Sequence, residues 1–551
     1  MRAEGCEAQT LRALASMPFL DRAELVAVTG WSKAAVHEAV DRLDSGGFCA
    51  AVPHATPLFP SSTQRFHLTA AGLERLAEQE DTSLDELVRD RPLSAEWRRN
   101  LMGRLDSLAA IYRLAVAVSG VAYPIRFRWY RASTLDAPIE IPGGGAVGIV
   151  RQGLTADRTG FSDRMWRLRQ GPLPGAVIVL MADDVRLRHV RRTLSGAPVP
   201  FYLALEREAV AASPDDPVWS PPAVNASVEL RSVLDRIERG SLLPDEDEPR
   251  MASVPADLSV EGPGWRVSDY LLPATLKPAE KRALDLISDW PWITLTDLAG
   301  LMAVSIPRAS QLVTPLEGFR LVTRPIAGSG RMALTDRALA LLARRDRTSV
   351  AIAKKRWSAA PLFPGTPYVW DNVRGARSRQ LLRNVEHTAA VHSFLAAMTV
   401  QAGLLDWEVS QVDPPRRASR HFRHGEGMRS VNPDAFGVLS RGETTWPFML
   451  EWERRAVRPS TMSERLAPYL RYFSSHRPTD DHGARPSVLI VFDDEIAHTH
   501  FLRLARDEMQ ARGVNVPLWV SHRAAIERLG PLGRAWRAPG DWQSPQAVPP
   551  Q

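Results

Sequence analysis

Lysine is almost missing from this chain: of 69 basic residues only five are lysines, Lys33, Lys277, Lys281, Lys354 and Lys355, and none follows position 355. Chemistry that needs a lysine beyond that point is thereby excluded. The other basic residues are arginines, a bias that a high-GC genome produces and that also suits bidentate contact with phosphates and base edges. Cysteine is as scarce, with Cys6 and Cys49 alone, so no disulfide framework or CxxC metal knuckle is available and a reducing compartment is expected. No apolar run approaches the roughly 18 residues that cross a bilayer. The start MRAEGCEAQT has no signal-peptide apolar region, so a cytoplasmic protein with no membrane partner is expected. The absence of GxxxxGK[ST] excludes a P-loop motor. The 13 histidines form neither HExxH nor finger spacing. A three-histidine relaxase centre finds only His498-Thr499-His500, and no tyrosine follows Tyr472 to serve a tyrosine recombinase.

What is present is ordinary globular composition, 44% hydrophobic and 24% charged with a net charge of +6, over 551 residues. That length predicts roughly three to five domains. Residues 1–82 read as three helices, two strands and a helix. Asp21 caps the second helix, Gly30 stops it, and Ser32 caps the third, KAAVHEAVDRL. Helical periodicity turns Val36, Ala39, Val40 and Leu43 inward and leaves Lys33, His37 and Arg42 outside. This order predicts a winged helix-turn-helix, whose third helix enters the DNA major groove; Ser32, Lys33, His37, Arg42 and, on the wing strand, Arg65 are the expected DNA-facing residues. Residues 271–348 repeat the pattern. Leu25, Ser32, Val40 and Leu43 fall on Leu298, Ser305, Val313 and Leu316 at a constant offset, and the wing strand RMALT matches RFHLT. Here Arg308, Ser310 and Gln311 are expected to face DNA from the helix, with Arg324 and Arg331 from the wing.

The repeat continues. LDAPIEI, VGIVRQG, SDRMWRL, AVIVLMADD and VPFYL run in the same order as NPDAFGVL, FMLEWER, SERLAPY, VLIVFDDE and VPLWV. A tandem duplication follows, each unit a winged helix plus a mixed α/β domain. The expected boundaries are 1–82 and 95–212, a Pro- and acid-rich linker at 213–270, then 271–348, a second linker at 349–382, the second α/β domain at 383–530, and a disordered tail at 531–551.

In the second α/β domain Asp434 opens one hairpin strand and Glu451 closes the next, which brings the two carboxylates together across the ladder. Two such oxygens suit one Mg²⁺, water completing its shell. Glu453 shares the face of Glu451 because side chains alternate. The spacing resembles the PD-(D/E)xK, or restriction-endonuclease-like, phosphodiesterases, which implies metal ligation by Asp434 and Glu451. In that superfamily a lysine two residues on serves the attacking water, but here that position is Glu453, giving ExE. Glu386, on the preceding helix, matches the extra acid that many such nucleases carry. Arg465, Tyr469, Arg471 and Tyr472 on the following helix read as a phosphate-contacting row or as a solvated face. In the first copy Asp136 aligns with Asp434, but Arg151 and Gly153 stand where Glu451 and Glu453 should, so that copy is expected to be inactive. Its basic segment RLRHVRR, with Arg186, Arg188, Arg191 and Arg192, is a further candidate DNA face.

Taken together, the winged helix, the loop PRRASRHFRHGEG, Pro433-Asp434, the ExE strand and the helix ending YLRYF are similar to the replication-relaxation family of plasmids and integrative conjugative elements. The similarity covers about residues 280–530 well and 8–210 weakly. It implies double-stranded DNA as partner, other replication or transfer proteins of the element beside it, and either Mg²⁺-dependent DNA cleavage or an inactive DNA-binding initiator, accessory factor or regulator.

Overall fold

The computed structural model describes every residue except 1, 132–133, 157, 225, 238–242, 244–252, 259–266, 455–458 and 550–551. The chain is a mixed α/β multi-domain protein that divides into two units, residues 1–281 with 340–353, and residues 282–339 with 354–551.

The first unit opens with helices Arg2–Ser16, Arg22–Thr29 and Lys33–Ser45, the hairpin β1 (Cys49–His54) and β2 (Thr63–Leu68), and helix Ala70–Gln79. Local chemistry sets these ends. Asp21 and Glu24 form a reciprocal capping box, Gly30 closes the second helix in the left-handed region, and the Ser32 side chain accepts from the N–H of Ala35. Three further helices lead into a sheet of β3 (Arg126–Phe127), β4 (Ala137–Ile141), β5 (Gly145–Arg151), β6 (Ala176–Met181) and β7 (Phe201–Leu205). Its strands lie in sequence order; β3, β4 and β5 are antiparallel, whereas β5, β6 and β7 are parallel. Parallel neighbours need crossovers, and helices Arg158–Gln170 and Asp184–Leu194 supply them. The continuous apolar run of β6 is buried at every position, as a strand covered on both faces requires.

In the second unit, helices Leu295–Leu301 and Ile306–Gly318 precede a short hairpin of β8 (Val322–Thr323) and β9 (Ala333–Leu334). After helix Val385–Leu404 come β10 (Glu408–Asp413), a separate hairpin of β11 (Arg420–His424) and β12 (Gly427–Val431), then β13 (Ala435–Arg441), β14 (Thr444–Glu453), β15 (Ser487–Phe492), β16 (Leu518–His522), β17 (Trp536–Ala538) and β18 (Asp541–Gln546). The main sheet has the order β10-β13-β14-β15-β16-β17-β18. Its first five strands reproduce the directions of β3 to β7: antiparallel twice, then parallel twice.

The backbone repeats as closely as the sequence. Phe19 and Trp292, Gly30 and Ala303, and Gly47 and Arg320 all have positive φ, and each pair keeps the sequence offset of the helical segments. Asp21 and Thr294 both cap the following helix, and Leu20 bridges Phe66 as Ile293 bridges Met332. The same turns recur although two of the three pairs exchange a glycine for a residue with a side chain: at Gly30 a Cβ would meet the Tyr123 ring at 2.8 Å, whereas Gly47 faces open space and Ala303 and Arg320 are exposed.

Three expected boundaries need correction. The 213–270 segment is not a free linker where it is described: Trp219 is buried and bridges Val228, helix Leu230–Asp235 buries Leu230, Val233 and Leu234, and Ser253 O accepts from the N–H of Ala95. Most of its acidic run LLPDEDEPR lies outside the described residues. The 349–382 segment holds helices Val350–Trp357 and Ala376–Arg383, with Ala359, Val373 and Leu382 packed around Trp292. The supposed tail adds β17 and β18 to the sheet, anchored by a fully buried Trp536 whose indole N–H donates to Pro531 O at 2.7 Å. In each case scattered apolar residues, Trp above all, find a core that composition alone does not reveal.

Candidate functional site

The site builds from the register of β13 and β14. Ala435 pairs with Leu450, and the Asp434 N–H donates to Leu450 O at 2.8 Å. Asp434 therefore stands opposite Glu451, one step past the last ladder pair and on the same face, where cross-strand side chains touch. Glu453 follows on that face. The Asp434 carboxylate accepts from the Trp452 N–H at 2.9 Å and is hydrogen-bonded to His387 Nε2 at 3.0 Å. Tyr469 donates its hydroxyl to Glu451 Oε1 at 2.5 Å, and Arg465 pairs with Glu453. Arg465 and Tyr469 are four apart on helix Pro459–Phe473, so one helical face serves both acids of the strand.

Charge is crowded here. Desolvation and the neighbouring Asp434 charge push the Glu451 carboxyl well above the usual carboxylate range, although the Tyr469 hydrogen bond opposes them. Burial likewise raises Glu453, against the pull of Arg465. For His387, burial disfavours the charged ring, but the hydrogen bond and charge of Asp434, helped by Glu453, win and raise its pKa. Among the described residues no basic side chain forms an ion pair with Glu451.

An all-oxygen pair such as Asp434 and Glu451 fits Mg²⁺ in chemistry, because a dication would relieve the repulsion between them. No group of three or more His, Cys, Asp or Glu side chains converges on a metal position among the described residues. The protein share of such a shell is thus these two carboxylates, which is sufficient for an ion that keeps several waters.

Two residues here take places that sequence reasoning did not give them. His387 sits beside the expected Glu386, and helical rotation turns His387 to Asp434 while Glu386 stays exposed and pairs with Arg454. Glu386 is accordingly corrected from the acid cluster to the surface. Tyr469, expected in a phosphate row, is buried against Glu451; its place four residues after Arg465 was the available signal.

The first unit answers the same geometry differently. Ala137 pairs with Ile149, and Asp136 accepts from the Arg151 N–H at 2.7 Å, as Asp434 does from Trp452. The position equivalent to Glu451 is therefore Val150, and that of Glu453 is Gln152, one residue earlier than the alignment to Arg151 and Gly153 implied. Asp136 is buried and held by Arg164 at 2.9 Å and Arg347 at 2.6 Å. Arg151 reaches Glu206 and Asp346. Arg186 and Arg191, expected on a basic face, donate to the backbone oxygens of Gly153, Leu154 and Pro222.

The expected DNA-facing residues divide. Exposed positions are Ser32, Lys33, Arg308, Gln311 and Arg324; His37, Ser310 and Arg471 are half-buried. Arg308 Nη1 donates to Gln311 Oε1 at 3.1 Å, which holds the two together on the outer face of their helix. Arg42 is engaged by Glu7 and Glu38, Arg324 by Glu317 at 2.7 Å, and Arg331 by Trp292 O at 3.2 Å. Arg465 is engaged by Glu453. Two assignments fail outright. Tyr472 is fully buried and donates to Asp481 at 2.8 Å. Arg65 is buried in a two-bond pair with Glu24, 2.9 and 3.2 Å, and also donates to Phe19 O. Alternation along β2 allowed either face, and the acid on the second helix decided it. Glu24→Ala is expected to destabilise the first unit by about 3–5 kcal/mol, because it strands a buried guanidinium; a chemical denaturation curve checks this, and a loss below about 1 kcal/mol contradicts it.

No family model matches the chain, and neither does any curated protein or solved structure. No helix among the described residues is long and apolar enough to cross a membrane.

Proposed function

We propose that this protein binds double-stranded DNA through two winged-helix modules and that its second α/β domain, of restriction-endonuclease-like type, is a Mg²⁺-dependent phosphodiesterase. The observation that carries the catalytic half is the contrast between the copies. Arginines neutralise the acid of the first, whereas Glu451 is left beside Asp434 with a tyrosine hydroxyl and no ion pair among the described residues. Such an arrangement costs stability unless a cation joins it. Asp434 and Glu451 would hold the ion, which when bound supplies charge neutralisation for the phosphate and a more acidic water. Glu453 and His387 are the nearby groups able to take up or release a proton; Trp452 N–H and Tyr469 hold the two ligand carboxylates in place. The setting, DNA processing on a mobile element, rests on the resemblance of the motifs.

A second reading is favoured by the Arg465–Glu453 ion pair, which occupies the place of the usual lysine. In it the protein is an inactive DNA-binding initiator, accessory factor or regulator. Supercoiled plasmid with Mg²⁺ or Mn²⁺ separates the two: nicking lost in Glu451→Ala supports the phosphodiesterase, and intact plasmid with a gel shift retained by both proteins supports the binder. For the DNA-binding half, Arg308→Ala and Gln311→Ala are each expected to cost about 1–3 kcal/mol of discrimination at a preferred site. Competition binding with specific and random duplexes measures it, and an unchanged preference removes the helix from base reading.

A further inference from the structure

The first unit contains a cleft of about 380 Å³, within the range of small-molecule sites. Four chain segments meet there: Arg99 and Arg104 come from the end of helix Ala95–Gly103, and Arg131 from the turn after β3. Arg164 and Arg167 come from helix Arg158–Gln170, and Arg344 and Arg347 from the 340–353 segment. Asn100, Thr134 and Thr348 add neutral hydrogen-bonding groups, and no aspartate or glutamate lines the wall. The carboxylates that pair with these arginines, Glu96, Asp136 and Asp269, are not among the lining residues. Arg99 and Arg167 are exposed and form no ion pair among the described residues.

Converging like charge is unfavourable in an empty cleft and favourable around a polyanion. Burial lowers the pKa of Arg164, and the charges of Arg347 and Arg167 lower it further against the pull of Asp136. The wall has no aromatic or large apolar side chain, so nothing there stacks on a base. We propose that this cleft binds a polyphosphate group, several phosphates in close succession, gripped by the guanidinium forks of Arg99 and Arg167 in the bidentate manner that suits phosphate oxygens, while Arg164 and Arg347, whose own N–H groups are engaged, contribute positive charge behind them. The inference does not depend on DNA cleavage by the second unit.

The test titrates inorganic triphosphate into the full-length protein and into the Arg99→Glu, Arg167→Glu double variant, by calorimetry. An unchanged melting transition verifies the fold of the variant, and the Arg99→Ala, Arg167→Ala pair replaces it if that fails. Saturable binding that weakens on the order of tenfold or more in the variant is the expected result. Competition with a short DNA duplex then identifies the source of the phosphates. Displacement of triphosphate makes the cleft a seat for nucleic-acid backbone, and retention makes it a seat for a free polyphosphate. No saturable binding up to roughly millimolar triphosphate, or equal affinity in the variant, overturns the proposal.

Discussion

Glu451→Gln is expected to abolish metal-dependent DNA cleavage while making the second unit more stable. The amide keeps the shape of the side chain and can still accept the Tyr469 hydrogen bond, but it removes the charge that Asp434 opposes. Loss of a metal ligand should exceed the roughly 10–100-fold that losing an outer partner of one costs. The pH dependence follows in sign. A carboxyl whose folded pKa is raised binds its proton more tightly in the native state, so stability is greatest below the unfolded value near 4.5 and falls as pH rises toward the folded value. That decline should vanish in Glu451→Gln. Melting curves across pH, with and without Mg²⁺, check both halves: addition of Mg²⁺ should stabilise the natural protein and leave the variant unmoved. A variant no more stable than the natural chain would mean that Glu451 is not in conflict with Asp434, and would remove the reason to place a cation there.

Asp136→Ala is expected to be among the most damaging single changes in the first unit, at about 3–5 kcal/mol. The side chain is 4% exposed and answers two guanidinium groups and a backbone N–H. Arg164 would keep its bonds to Thr134 O and Arg151 O, and Arg347 those to Leu135 O and Arg131 O. Neither would keep a counter-charge from Asp136, and both are largely withdrawn from water. Burial opposes ionisation of Asp136, but the arginines hold its carboxyl well below the usual range. Its contribution is therefore full above the unfolded pKa near 3.9 and is lost only as pH falls toward the folded value. Denaturation of the variant at neutral pH measures the effect, and a cost below about 1 kcal/mol would show that solvent reaches the pair. The two predictions have opposite signs at neighbouring positions of equivalent hairpins, since Asp136 corresponds to Asp434, the cross-strand neighbour of Glu451. In one an arginine-bound acid serves structure; in the other Glu451 lies beside Asp434 with no ion pair of its own among the described residues.

Much of this architecture follows from local signals along the chain. Ser32 and Ser305 as caps, the offset repeat of apolar positions, and the apolar strands AVIVLM and SVLIVF depend on neighbours within a turn or a ladder step. Asp434 and Glu451 were legible for the same reason, since strand alternation and a short hairpin fix which residues share a face. The register error at Arg151 shows the limit: a one-residue slip in an alignment exchanges the two faces of a strand, and only the pairing of Ala137 with Ile149 resolves it.

The sequence by itself determined the order of helices and strands, the internal repeat and the acidic pair, because each follows from spacing along the chain. Only the tertiary structure decided which charges are spent. Arg65 meets Glu24 across 41 residues, Asp434 meets His387 across 47, and Arg347 meets Asp136 across 211. No periodicity encodes such meetings. A buried charge takes whatever partner the fold delivers, and an arginine that reads as DNA-facing in one dimension becomes a strut in three.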